Sequence, residues 1–477
     1  MVIKPTFYRQ RRRVQIRQAM DRIKHLHWRA GFGLSPEEWS VRQNWSTQKA
    51  VNQLFAEAKK AKPLPGAPPV DIEGREDMTQ ADIVALRKEQ RKLVAFQSAD
   101  WLHRMADPAQ SALLERVTLF WHGHFACQTK ASSLATMQAN TLRTHALGSF
   151  RELTLSMARD VSMIRFLNNQ QNKKNSPNEN FARELMELFT IGRGNYTETD
   201  VKEAARAFTG WSSNLRNEFI FRPGQHDYGA KVFMGKRGNF DGGDIIDQLL
   251  EKRATADFIA RKAYRYFVNE QVDEGIVKTL SKQFYESDYN IEKLLRSIFE
   301  SDWFYAPQHI GTKIKSPIEL MAGILRKLNI EFESDLSLIF VQRALGQVLF
   351  NPPNVAGWPG GRSWIDNSTL TLRLSLAGHL LNSSEVNLRT KGEPEDQDRE
   401  KSTKKLLAKV DTSAITKLLN GVGDAEIADD LADFLLQAKP KGFNELLAEP
   451  LRNAPNREAR IRTATMALMS LPEYQMC

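Results

Sequence analysis

A mostly α-helical, multi-helical globular protein is what this sequence predicts, with one short β-hairpin and a long ordered loop rich in Pro, Gly and Trp. Three observations carry that expectation. Apolar residues recur at helical spacing from Thr79 to about Met105, from Ala112 to Trp121 and from Leu370 to Leu381. Ser-Pro-x-Glu occurs three times, at Ser35, Ser176 and Ser316. Each copy reads as a helix start: the Ser hydroxyl caps, Pro suits the first turn and Glu reaches back to the cap. The period changes in one place, where Phe219–Arg222 and Lys231–Met234 read as strands flanking the turn-rich Pro223–Gly229.

Taken in order, the elements suggest five stretches. Residues 1-62 form a basic N-terminal helical segment and 63-78 a linker rich in Pro, Gly and acidic residues. Residues 79-388 form the main helical domain, with the hairpin near 219-234. A charged linker over 389-405 and a helical tail over 406-477 complete the chain. With 477 residues and 41% hydrophobic side chains, the chain can bury a sizeable core. No apolar stretch is long enough to span a bilayer.

The net charge of +10 raises a nucleic-acid reading. Much of the excess lies in the first thirty residues, and no nucleic-acid-binding motif accompanies it. A solvated arm, or one docked on an acidic partner, is the simpler account. The basic N-terminus carries Arg11-Arg12-Arg13 but no apolar stretch behind it, so a cytoplasmic location is the expectation. A periplasmic location, reached by export with a partner, is the alternative. Cys127 and Cys477 do not suggest a disulfide framework.

The chain is organised around Leu167–Trp211. A polar loop, Asn168–Asn175, feeds a helix expected to start at Ser176 and end at Gly192. Phe181, Leu185, Leu188 and Phe189 share one face of it. Asn180, Glu184 and Glu187 fall roughly opposite, with Arg183 beside them. Glu184 and Glu187 could lie on a solvated face, paired with arginines. They could also point into a polar cleft with Asn178, Trp211 and Trp358 among its lining.

Upstream, His122-Gly123-His124 follows an apolar helical face. Histidines two apart cannot share a helix face, but around a Gly they could converge on one ion. Packed histidines bonded to backbone are the competing account. His226-Asp227 falls in the predicted hairpin loop, where loops position chemistry; Asp227 could equally fix the turn. The loop Asn351–Ser363 lacks the ending of a phosphate loop, so it is expected to plug against the helices or to offer a stacking platform. Serine-hydrolase elbows, Cys-x-x-Cys pairs and His-Glu-x-x-His helices are absent from the sequence.

Together, several stretches resemble the bacterial domain-of-unknown-function 1800 family over most of the chain. They are HWRAGFG (His27–Gly33), FWHGHF (Phe120–Phe125), SPNENFARELMELFTIGRGNYTETDV (Ser176–Val201) and ARAFTGW (Ala205–Trp211). HDYGAK (His226–Lys231), IGTKIKSPIEL (Ile310–Leu320) and LFNPPNVAGWPGG (Leu349–Gly361) complete the set. The resemblance implies a largely helical protein with no assigned activity. It also implies a partner, since such proteins are often encoded beside sulfatase-like proteins of the domain-of-unknown-function 1501 family.

Two readings of function follow. In the first, the chain is a metal-assisted hydrolase or related enzyme. His122, His124, Glu184 and Glu187 would hold a divalent metal ion, and Glu184, Glu187, His226 and Asp227 would serve catalysis. In the second, it is a non-catalytic helical binding or assembly partner of the sulfatase-like protein, and the same residues form buried networks that fix helix ends.

Overall fold

The computed structural model describes residues 19–65, 78–382, 385–386, 404–406 and 408–477. The basic arm, most of the first linker and nearly all of the charged linker expected from the sequence lie outside the described residues. Helices dominate what is described, and one hydrophobic core runs from Ile23 to Tyr474.

The first helices are α1 (19–29), α2 (Pro36–Arg42), α3 (Thr47–Lys60) and the long α4 (Gln80–Ala106). They are followed by α5 (Ala112–His124), α6 (Ser132–His145), α7 (Phe150–Ala158) and α8 (Val161–Phe166). In the centre, α9 (Asn180–Glu184) runs straight into a π-helical turn, Leu185–Phe189, and α10 (Glu198–Ala207) follows. Then come α11 (Gly242–Leu250), α12 (Arg253–Phe267), α13 (Glu274–Glu286) and α14 (Ile291–Phe299). Next are α15 (Pro317–Leu328), α16 (Leu336–Leu345) and α17 (Asn367–Leu381). The tail holds α18 (Ser413–Leu418), α19 (Ile427–Leu435), α20 (Phe443–Arg452) and α21 (Arg457–Met469).

Two of the three Ser-Pro-x-Glu starts fold as written. Ser35 and Ser316 each form a full capping box, with Glu38 and Glu319. The central copy does not cap. There α9 begins at Asn180, with Glu179 at the cap position and no side-chain cap bond to it. The reason is local competition from asparagines. Asn172 Oδ1 accepts the Asn178 N–H at 3.0 Å, and Asn178 Oδ1 accepts the Asn180 N–H at 3.0 Å. The end of this helix is as expected, with Gly192 left-handed at φ 77°.

Both strands read from the sequence form, but not with each other. The β1 strand (Trp211–Ser213) pairs with β2 (Phe219–Phe221), and β3 (Lys231–Phe233) pairs with β4 (Lys236–Gly238). Each strand took a partner a few residues away, because closing a short turn costs less chain entropy than closing the longer loop between them. Two further small antiparallel pairs join β5 (Ile330–Phe332) to β8 (Ala408–Val410), and β6 (Glu385–Val386) to β7 (Lys404–Lys405).

The densest packing of charge lies where α1, α5, α15 and the tail meet. Glu319, on the first turn of α15, is buried between Arg116 of α5 at 2.5 Å and Lys313 at 2.8 Å. Burial alone would raise its carboxyl, but Arg116 and Lys313 outweigh burial and bring it down to about 2. Lys315 and Lys327 of this layer lie on aromatic faces. Lys315 sits 3.6 Å from the Trp28 ring centre and 4.0 Å from that of Tyr474. On the other side of this layer, α15 approaches Trp28 through Gly323, where a Cβ would collide with the indole.

Two variants test this layer by urea unfolding. Glu319→Gln leaves Arg116 and Lys313 buried without their counter-charge and should cost about 3–5 kcal/mol. Gly323→Ala should cost about 1–3 kcal/mol by overpacking against Trp28. An unchanged urea midpoint in the first variant would remove Glu319 from the role assigned to it.

Candidate functional site

The α5 helix continues through Gly123, so His122 and His124 are both helical. Two residues apart on a helix, they point to different sides. His122 is fully buried, and its Nε2 accepts the Phe350 N–H at 3.0 Å. Its ring lies against Trp101, Phe350 and Trp358, with the Trp358 ring centre 5.6 Å away. Phe350 holds a left-handed backbone, φ 64°, which a bulky residue adopts only when its surroundings impose it. His122 is part of that imposition. The loop Asn351–Ser363 therefore leaves a residue pinned to α5, and the loop packs on the helix.

His124 faces the π-helical turn. Its Nδ1 accepts from Lys262 Nζ at 3.1 Å, and its Nε2–H donates to the Phe189 carbonyl at 3.0 Å. Lys262, from α12, also donates to the Leu188 carbonyl at 2.9 Å. The two side chains clamp the turn through consecutive carbonyls. Burial pushes the Lys262 amine down to about 8. Burial, then the Lys262 charge, pushes His124 well below its ordinary value.

Glu187 sits on the turn itself, paired with Arg193 and accepting from the Tyr196 hydroxyl at 3.1 Å. Glu184 is half-buried. Burial, then the neighbouring Glu187, raises its carboxyl, and no hydrogen bond to its side chain forms among the described residues. Arg183 pairs with Glu179 and, through two bonds, with Glu198. Asn180 is exposed.

His226 and Asp227 form a third locality. The His226 Nδ1–H donates to the Thr209 carbonyl at 2.8 Å. Asp227 is held by Arg206 at 2.7 Å and accepts the Gly229 N–H at 2.8 Å. Trp211 lies nearby in the chain, buried beside Phe208 and Phe219 with the Arg159 guanidinium 5.3 Å from its ring centre. Asn178 belongs to the asparagine network under this hairpin. There Asn172 donates to the Ala205 carbonyl at 2.8 Å.

The structure thus separates what the sequence had grouped. His122, His124, Glu184 and Glu187 do not converge as an ion-binding set. Among the described residues no three His, Cys, Asp or Glu side chains come together in a way that could hold a metal ion. The physical reason is the helix continuing through Gly123, which sends the two imidazoles apart. His226 spends its Nδ1 on the Thr209 carbonyl, and Asp227 its carboxylate on Arg206 and the Gly229 N–H.

Some residues in these networks were not singled out from the sequence: Lys262, Thr209, Asn172 and Phe350. For Lys262 a signal existed. It lies between Phe258 and Tyr266 at helical spacing, a cation on an aromatic stripe.

The buried histidines predict acid sensitivity. Burial pushes His122 down to about 3 from an ordinary 6.5, and His25, His27 and His124 well below it. Below pH 6.5 the unfolded chain binds protons that the folded chain refuses. Stability is therefore full above pH 6.5 and falls as pH drops, by about 1.4 kcal/mol per pH unit for each such histidine. His122→Gln keeps an acceptor for the Phe350 N–H and should flatten the fall by about one proton's worth. Urea unfolding between about pH 7 and pH 5 reads this slope, and equal slopes would contradict it.

Among the described residues no helix is long and apolar enough to cross a membrane. Comparison with curated proteins gives no match, and comparison with solved structures gives none either. A family model described as "Protein of unknown function (DUF1800)" matches residues 25–476. That match covers nearly the whole chain, including the histidines of α5, the π-helical turn and both hairpins, and so this chain belongs to the DUF1800 family.

Proposed function

We propose that this protein works as a rigid helical binding module. One observation carries the reading: the three histidines singled out for chemistry each bond main chain. His122 fixes Phe350, His124 with Lys262 clamps the π-helical turn, and His226 fixes Thr209. Buried side-chain bonds to main chain of this kind rigidify a fold and specify its loops. A surface so fixed binds with less ordering cost. The sulfatase-like protein implied by the family resemblance is the first partner to test.

A metal-assisted hydrolase remains the second reading, and one observation favours it. Glu184 is a half-buried carboxyl with a raised pKa beside a π-helical turn, and such turns recur at functional sites. A carboxyl held that way could move a proton.

Two measurements on the purified protein separate the readings. Elemental analysis should find no stoichiometric zinc, manganese or iron. Calorimetric titration with the sulfatase-like neighbour should show binding that Glu184→Gln/Glu187→Gln leaves unchanged. Near-stoichiometric metal that is lost in His122→Ala/His124→Ala would overturn the binding reading in favour of the enzyme.

A further inference from the structure

We propose that the groove between α13 and α14 binds a short neutral oligosaccharide. The site stands apart from the partner reading, since none of its lining residues belongs to the histidine networks described above. The groove has a volume of about 850 Å³, within the usual range of ligand sites. The two helices pack side by side, joined by the short turn 287–290. One face of α13 forms a wall from Asp273 to Ser287, about 20 Å long at the helical rise. The other wall is α14 and the turn after it, down to Trp303. Leu280 and Leu294, both buried, make the floor.

Trp303 is half-buried on the lining and held in place. Tyr264 packs on its ring, near-parallel at 26° with centres 6.3 Å apart, and His309 meets it edge-on at 6.4 Å. The Tyr305 hydroxyl ties the same turn to the Phe299 carbonyl at 2.7 Å. The indole Nε1–H forms no hydrogen bond among the described residues. A fixed aromatic face with a free polar handle suits a sugar ring, whose C–H face is apolar and whose rim is hydroxylated.

The hydroxyls of the walls have already spent their protons. Thr279 Oγ1–H donates to the Gly275 carbonyl at 3.0 Å, and Ser301 Oγ–H to the Ser297 carbonyl at 2.6 Å. Each keeps lone pairs for an incoming donor. Gln283 and Lys293 are exposed on the lining, and their side chains form no hydrogen bond or ion pair among the described residues. The groove therefore offers acceptors and donors together, which is what a chain of hydroxyls needs.

Charge and backbone select against the other classes. The lining carries two carboxylates, Asp273 and Glu300, and two cations, Lys293 and Arg296. Glu300 pairs with Arg296 at 2.7 Å, and Asp273 caps α13 through the Gly275 and Ile276 N–H groups. A phosphate would meet one unpaired cation against two carboxylates, and a polyamine would meet two cations. An extended peptide finds no strand edge here, since both walls are helices with their own main-chain bonds made. A helical peptide needs apolar contacts where Gln283, Lys293 and the hydroxyls stand.

The experiment titrates the full chain calorimetrically with a panel of neutral tetrasaccharides of glucose, mannose, galactose and N-acetylglucosamine, in both anomeric linkages. At least one should bind saturably, and added salt should leave its affinity unchanged, since no charge pair forms. Trp303→Ala should weaken that binding by at least about tenfold. Gln283→Ala/Lys293→Ala changes two exposed residues, so its melting temperature should match the parent. The same double variant should weaken binding by about fivefold or more. Leu446→Ser, at an exposed position in α20, should leave binding unchanged. Failure of the whole panel to bind, or binding that ignores both groove variants, overturns the proposal. So does tighter binding of spermine, glucose 6-phosphate or an amphipathic Leu/Lys peptide that Gln283→Ala/Lys293→Ala abolishes, and the groove then belongs to that class.

Discussion

Glu319 lets cations from distant parts of the chain share one interior. Arg116 arrives on α5, Lys313 on the segment before α15, and Arg29 on α1, and each is buried. Removing such charges from water costs several kcal/mol per ion unless a counter-charge and hydrogen bonds compensate. Glu319 provides that charge at short range to Arg116 and Lys313, and it lies within electrostatic reach of Arg29 and Arg373. Aromatic faces do the rest: Tyr266 under Arg116 and Lys313, Trp28 and Tyr474 around Lys315, and Phe434 under Lys327. Main-chain bonds from Lys313 to Cys477 and from Lys315 to Gln475 lay the tail along the same layer. The first and last described helical regions thus meet across one electrostatic centre.

The same economy governs the histidines. A neutral imidazole has one donor and one acceptor, so it can bridge a helix to a loop without bringing charge inside. His122 uses its acceptor on Phe350, and His124 uses both nitrogens, on Lys262 and Phe189. These bridges hold segments that the backbone would not hold by itself: a left-handed Phe350 and a π-helical turn. In three dimensions His122, His124 and His226 each bond main chain.

Much of the fold was legible in the sequence because its signals are local. Ser35 and Ser316 cap the helices that the sequence assigns to them, since a capping box needs only four consecutive residues. Period and composition announced α4, α5 and α17. Local competition also explains the failure at Ser176, where Asn172, six residues upstream of Asn178, took the donor. The strands 219–221 and 231–233 were visible, but their partners were not, because pairing depends on which turn closes first.

For the candidate site the sequence offered a set of residues and not their arrangement. Sequence alone determined that the chain is helical and that its polar motifs lie around α5, the 176–201 stretch and the hairpins. Only the tertiary structure decided what they do. Whether two histidines meet depends on whether the helix stops at Gly123; it continues, and the two rings reach Phe350 and Phe189 on different sides. Those receivers lie far away in the sequence. Long-range partners of a buried polar group are selected by packing geometry, and no local pattern encodes that.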